Sequence, residues 1–513
     1  MVLLRSIATV GSLTMVSRVF GFVRDILIAA TLGAGMAADV FFVAFKFPNL
    51  FRRLFAEGAF SMAFVPLFAG LAEEEGEARA RQFADQSMAV LLWTVLVFVL
   101  VLEAAMPWAM RIFAPGFLSQ PEKFALAVEL TRITLPYLLF ISLVSLMAGV
   151  LNSFGKFAAA AATPILLNVC LIGAVLVFAP WAESPGHALA WGVFVAGMVQ
   201  FGWLAVQCRR NGFRIKMIRP RLSDDVRLLV RRALPVALGA GIYQINLLID
   251  TIIASFLPEG SISYLFFADR VNQLPLGVVG VAVGTALLPL LSRQIRAGDE
   301  AAAAHSQNRA VEFSFLLTLP AACALFVMAD PLVQVLFQRG EFGAAQASAT
   351  AAALAVFALG LPAYVLVKAL APGFFARGDT ATPVKISVAA MIVNVVLSLI
   401  LMGPFLHVGI AMATAASSWL NAGLMAYILY RRGYLGADTR LKGRLPRTVL
   451  ASVGMGAALY VCMGQLSVWL DGGTFERACA VAALVAGGLA CFAVLAQLSG
   501  AARLSDIKKS LRG

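Results

Sequence analysis

The 513-residue sequence predicts an all-α polytopic membrane protein. Its expected plan is fourteen transmembrane helices: two six-helix repeat lobes around a central cavity plus two extra C-terminal helices. Three observations carry this. Residues are 61% hydrophobic and only 13% charged, with mean hydropathy +0.88, where a soluble domain carries about 25% charged residues. Apolar runs long enough to cross a bilayer recur along the whole chain. The second half also repeats the spacing of the first.

The runs fall at about 6–32, 37–70, 87–110, 128–152, 162–179, 187–208, 229–257, 262–292, 311–329, 346–371, 382–403, 409–430, 447–468 and 477–499. The first is interrupted by charge. Arg18, Gly21 and Asp25 share one helical face, with Ser17 and Arg24 about 100° to one side. In the second, Lys46, Asn49, Arg53 and Glu57 form one stripe, and Arg52 points about 120° away. The eighth carries Asp269, Arg270, Asn272 and Gln273. Pro48, Pro107, Pro136, Pro235, Pro275 and Pro362 mark expected kinks, because proline leaves a carbonyl without its helical donor.

Each charge near a span centre costs about 2.5–3.5 kcal/mol on insertion scales. Salt bridges between or within helices are the structural explanation, and Arg53 with Glu57 at i,i+4 fits the second kind, leaving Arg52 unengaged. Counting weighs against that explanation for the whole set. Six basic residues (18, 24, 46, 52, 53 and 270) face four acids (25, 39, 57 and 269). The surplus reads as a wet cationic cavity for an anionic ligand, with arginines forking around phosphate oxygens.

The placement of basic residues sets the topology. With both termini on one side, that side receives 28 Lys and Arg and the other only five, Arg111, Lys123, Arg132, Arg339 and Arg477. Both termini are therefore expected in the cytoplasm, and an odd helix count would spoil the split. The net charge of +13 is mostly this signal, so nucleic-acid binding has no support. The loops around 209–232 and 431–447 read as ordinary cytoplasmic loops, with contact to anionic headgroups of the membrane lipids as the less favoured alternative.

The repeat is read from aligned residues. Pro66 falls on Pro289 and Asn49 on Asn272 at an offset of 223, and the stretch from Pro107 to Gly116 falls on Pro331 to Gly340 at 224. Residues 1–220 are expected to form an N-lobe and 221–445 a C-lobe, in the same orientation. Parallel duplication is a transporter architecture with a central site.

Weaker signals complete the reading. Asp250 with Gln244 and Asn246, and Asn394 with Ser398, offer oxygens for a coupling Na⁺ or proton, or form buried hydrogen-bonded networks. Histidines 187, 305 and 407 are too scattered to ligate a metal among themselves, so no metal and no cofactor are expected. Six cysteines in apolar segments read as small buried hydrophobes rather than a disulfide framework. No phosphate-binding P-loop and no common hydrolase motif occurs, so the chain is not expected to be an enzyme. The first helix is expected to remain uncleaved.

Ser17-Arg18-x-x-Gly21-x-x-Arg24-Asp25, followed by Phe41-Phe-Val-Ala-Phe-Lys-x-Pro-Asn-Leu-x-Arg-Arg-x-Phe-Ala-Glu-Gly-Ala-Phe60, closely resembles the MurJ (MviN) lipid II flippases. The resemblance continues through Ala268-Asp-Arg270, Gly280-Val-Ala-x-Gly-Thr285, Lys368-x-Leu-Ala-Pro-Gly-Phe374 and Thr382-Pro-Val-Lys385. The alanines at 158–162 depart from it, where the family often has a proline. It implies the multidrug/oligosaccharidyl-lipid/polysaccharide exporter fold. It also implies alternating-access export of the undecaprenyl-pyrophosphate-linked peptidoglycan precursor across the bacterial inner membrane. By position, Arg18, Arg24, Arg52 and Arg270 would bind the headgroup. Asp25, Asp39, Asn49, Arg53, Glu57 and Asp269 would support or gate, and residues 446–513 would form the lipid-tail groove. The run holding Asn394 carries no acid, which argues against carrying a Na⁺ site over to Asp250 and Asn394. A polysaccharide-unit flippase and a non-transporting envelope-assembly scaffold are the alternatives, and peptidoglycan synthesis enzymes are conceivable partners.

Overall fold

The computed structural model describes residues 2–52, 59–214, 216 and 218–502. Within helices, the side chains of residues 2–7, 59, 236–243, 245–247 and 278–286 lie outside the description. Among the described residues, every expected apolar segment is largely helical. In order come α1 (Val2–Leu32), α2 (Met36–Arg52), α3 (Ala59–Glu74), α4 (Glu77–Ala104), α5 (Met106–Phe113), α6 (Pro121–Thr134), α7 (Tyr137–Ser153), α8 (Phe157–Gly173), α9 (Pro185–Arg210) and α10 (Asp224–Ser255). Then follow α11 (Ser261–Arg296), α12 (Glu300–Val327), α13 (Ala329–Phe337), α14 (Ala344–Phe375), α15 (Ala381–Arg431), α16 (Thr439–Gln465), α17 (Ser467–Leu470) and α18 (Thr474–Ser499).

Among the described residues, nine helices are long and apolar enough to cross a membrane, which is compatible with fourteen spans. α15 shows why the two counts differ. Its 51 residues would stretch about 77 Å at 1.5 Å per residue, far beyond the roughly 30 Å hydrocarbon core. Leu406, at φ 50°, bends it into two.

The duplication is written in the helix boundaries. α4 and α12 are both 28 residues long and start at Glu77 and Glu300, an offset of 223. Each breaks after one residue into a short helix, α5 or α13. Pro121 opens α6 and Ala344 opens α14, again at 223. The copies diverge at proline: the α6–α7 helix breaks around Pro136, whereas α14 continues through Pro362.

The chain forms two compact units, Met1–Ser263 with Arg339–Phe342, and Tyr264–Gln338 with Gly343–Gly513. In the first, α1 packs on α8, α2 on α6, α7 on α9, and α10 on α3. Stacked Phe60, Phe64, Phe68 and Phe83 fill one end of its core. In the second, α14 packs between α12 and α15, while α16 bridges α12 and α18. α16 and α18 meet through small residues: a Cβ on Gly488 would lie 3.2 Å from Leu459, so glycine sets the close approach. Their outward faces are apolar, with Leu450, Leu489 and Leu498 each more than two-thirds exposed. Cys462 and Cys479 are exposed on these two helices, which corrects the expectation that all six cysteines are buried.

Two glycines seat the short helix-following turns. A Cβ on Gly116 would overlap the Ser255 carbonyl at the end of α10, and one on Gly340 would overlap the Ala30 carbonyl near the end of α1. The Gly116 amide donates to Ser255 Oγ at 3.0 Å, and the Glu341 amide donates to Ala30 O at 2.9 Å. Gly340 has φ 56°, open to glycine at no steric cost.

Candidate functional site

Pro48 lies inside α2 and so withholds the amide that would bond the Ala44 carbonyl. Thr134 Oγ1 on α6 supplies the missing donor at 2.9 Å. With that carbonyl satisfied, α2 stays helical through Asn49 and Arg52. Asn49 Nδ2 donates to Phe45 O at 2.7 Å, and Arg52 Nε donates to Asn49 Oδ1 at 2.9 Å. Arg52 is therefore half-buried and held by Asn49, which corrects the expectation that it stands unengaged. The Arg53–Glu57 pairing expected from sequence lies outside the described residues.

On α1, Arg24 and Asp25 are 6% and 1% exposed. Adjacent helix positions do not ordinarily face each other, but the long Arg24 side chain folds back. Its Nε and Nη2 donate to Asp25 Oδ1 at 2.9 and 2.7 Å. Nη1 reaches Asn168 Oδ1 on α8 at 2.9 Å, and Asn168 Nδ2 donates to Ser17 O at 3.0 Å. Gly21 makes room, since a Cβ there would lie 3.4 Å from Asn168 Nδ2. Arg18, on the neighbouring face, is exposed.

Asp39 is 1% exposed and has four donors. Lys123 Nζ lies 3.1 Å from Oδ2, and the Gly260 amide bonds the same oxygen at 2.8 Å. The Ser263 amide and hydroxyl bond Oδ1 at 3.0 and 2.7 Å. A carboxylate contributed from far along the chain thus caps the amides of the 260–263 turn, where negative charge is favoured. Lys123, 3% exposed, was expected in a water-exposed loop. Pro121 at the first helical position is the signal that α6 starts early enough to bury it. Lys46 Nζ lies 3.4 Å from Thr251 Oγ1 on α10.

In the second unit, Asp269 accepts from Gln273 one turn along α11. Arg270 is half-buried with its guanidinium 5.0 Å from the Phe266 ring centre. Asn394 (2%) and Ser398 (0%) are buried one turn apart on α15. Asp250 is half-buried on α10, in the first unit. Sequence reasoning missed Asn168 and Lys123. Asn168 shows only as a lone amide inside an apolar run.

Known proteins match this chain throughout. The family model described as lipid II flippase MurJ matches residues 28–477. A probable lipid II flippase MurJ of Rhizobium meliloti (strain 1021) is 46% identical over 519 residues, 100% of this chain and 97% of that protein. The lipid II flippase MurJ of Burkholderia cenocepacia is 37% identical over 435 residues, 84% of each. Among solved structures, a lipid II flippase MurJ in an inward closed conformation aligns with a TM-score of 0.79 at 22% identity, over 95% of this chain and 98% of that one. An inward-facing multidrug transporter of the MATE family aligns at 0.67 and 15% identity, over 85% and 98%. At these identities the structures speak for the fold alone.

Proposed function

Because the chain belongs to the lipid II flippase MurJ family, we propose that it carries the undecaprenyl-pyrophosphate-linked peptidoglycan precursor to the outer leaflet by alternating access. It works as a multi-pass protein of the bacterial inner membrane, with both termini cytoplasmic. Arg18, Arg24, Arg52 and Arg270 bind the diphosphate headgroup. Asp25, Asp39, Asn49, Arg53, Glu57 and Asp269 support or gate. Residues 1–220 and 221–445 act as the two lobes, and 446–513 receive the lipid tail along the apolar outer faces of α16 and α18.

One observation carries the anionic-headgroup reading. Asp39 is one of four acids weighed against six basic residues, and it is bound to Lys123. It therefore offsets none of the six, and the formal positive surplus is larger by one than the sequence count. The transport step needs no covalent chemistry. The diphosphate lowers repulsion among the guanidiniums, whose planar forks match phosphate oxygens, and that differential binding shifts the conformational equilibrium.

The test is replacement in cells depleted of the native protein, asking whether an externally added precursor-cleaving enzyme reaches its substrate. Arg52→Ala and Arg270→Ala are expected to abolish access at normal protein levels, as depletion does. Arg24→Ala is tested together with Asp25→Asn, so that no lone carboxylate is left buried. Normal access in all three variants overturns the clamp, and normal access in depleted cells overturns flippase function.

A further inference from the structure

At one end of the first unit, α6 and the N-terminus of α9 flank an open cavity of about 920 Å³ lined by Phe124, Trp181 and Trp191. Three side chains that can ligate a metal meet at its edge, Glu129 on α6, Glu183 just before α9, and His187 in its first turn. His187 is 9% exposed, and its Nε2 has no hydrogen-bond partner. That nitrogen points between the two carboxylates, 3.4 Å from Glu129 Oε1 and 3.5 Å from Glu183 Oε2. The ring is held by its other nitrogen, with Nδ1 2.8 Å from Ser184 Oγ.

We propose that Glu129, Glu183 and His187 form a binding site for a divalent transition-metal ion, with Zn²⁺ best suited to the ligand set. Imidazole and carboxylate ligands sit about 2.0–2.2 Å from Zn²⁺, so in a tetrahedron they lie about 3.3–3.6 Å from one another. Both distances from Nε2 already fall in that range. The three ligand atoms lie within 4.8 Å of one another, and rotation of the exposed Glu183 side chain closes the remaining edge. Donation from Nδ1–H to Ser184 Oγ leaves the Nε2 lone pair for the metal, the outer-shell arrangement that fixes a ligating histidine. Water from the open cavity completes the fourth position. Arg132 lines the same cavity, but its Nε is turned to the Glu103 carbonyl at 3.3 Å. A bound ion would tie α6 to the start of α9.

Histidines compared only with one another gave no metal site in the sequence. The partners here are glutamates 58 and 4 residues away, brought in by the α6–α9 contact.

The experiment titrates Zn²⁺ against a chromophoric chelator into the purified full chain, with the exposed Cys462 and Cys479 alkylated. One ion is expected to bind and to raise the melting temperature, as any ligand of the native state does. His187→Gln and the surface pair Glu129→Gln/Glu183→Gln are each expected to weaken binding at least tenfold and remove the thermal shift. Ser184→Ala should weaken it about 10- to 100-fold, as for other outer-shell partners. No binding by the wild type, or wild-type affinity in either ligand variant, overturns the site. The glutamate pair is solvent-exposed and keeps the test decisive should His187→Gln fail to fold.

Discussion

Asp25 and Arg24 are buried as a unit, so removing one partner leaves the other charge stranded. Asp25→Asn is expected to cost about 3–5 kcal/mol, the usual penalty for breaking a buried pair, seen as a fall in melting temperature in detergent. Thr134→Val strips the donor from the Ala44 carbonyl and should cost about 1–3 kcal/mol. In a Pro48→Ala background the amide of residue 48 returns to that carbonyl, so the same change should cost far less. A strictly additive double-mutant cycle would refute the link. Outside the spans, Asp379 has its carboxyl held well below the usual range by the Thr382 hydroxyl first and by Arg432. Its folded pKa is depressed, so its stabilisation is complete above the unfolded value of about 3.9 and lost as pH falls through the folded one. The melting-temperature gap between wild type and Asp379→Asn should be constant from neutral pH to about 5 and shrink below 4. At this scale the sequence showed which residues are charged inside apolar runs but not who meets whom. Arg24 with Asn168, and Asp39 with Lys123, are separated by 144 and 84 residues, and no helical period reports on them.

Among the elements, α15 carries its bend at Leu406, with φ 50° and ψ −131°. Glycine enters that region without the Cβ penalty, and Leu406 is 43% exposed, so little packing is lost on replacement. Leu406→Gly is expected to stabilise by about 1 kcal/mol, whereas Leu406→Val should destabilise, both read by thermal denaturation. Apolar length was enough to find the fourteen runs. Sequence could not say that the third run would break at Ala105 into α4 and α5, or that the bend between the eleventh and twelfth would fall at Leu406. Those outcomes depend on local backbone conformation, which hydropathy does not encode.

For the molecule as a whole, the offset of 223 first read from Pro66 and Asn49 reappears in helix starts and lengths. The repeat spacing was therefore legible from sequence. Its asymmetry was legible too, since Arg52 and Arg53 fall on Pro275 and Leu276 in the second copy. What was hidden is where the copies touch. Gly116, in the first, seats on the end of α10, the opening helix of the second. Gly340, its counterpart, seats on the end of α1. Each copy thus holds the other's first helix by a backbone contact that tolerates no side chain. A gene cut after residue 223 should yield two polypeptides that are unstable alone and functional together, scored by membrane accumulation and rescue of depleted cells. Gly340→Leu should abolish that rescue while leaving Gly343→Leu harmless, because residue 343 has open space for a Cβ. The two glycines thus work as a pair of clasps, each shut on a helix end by backbone alone.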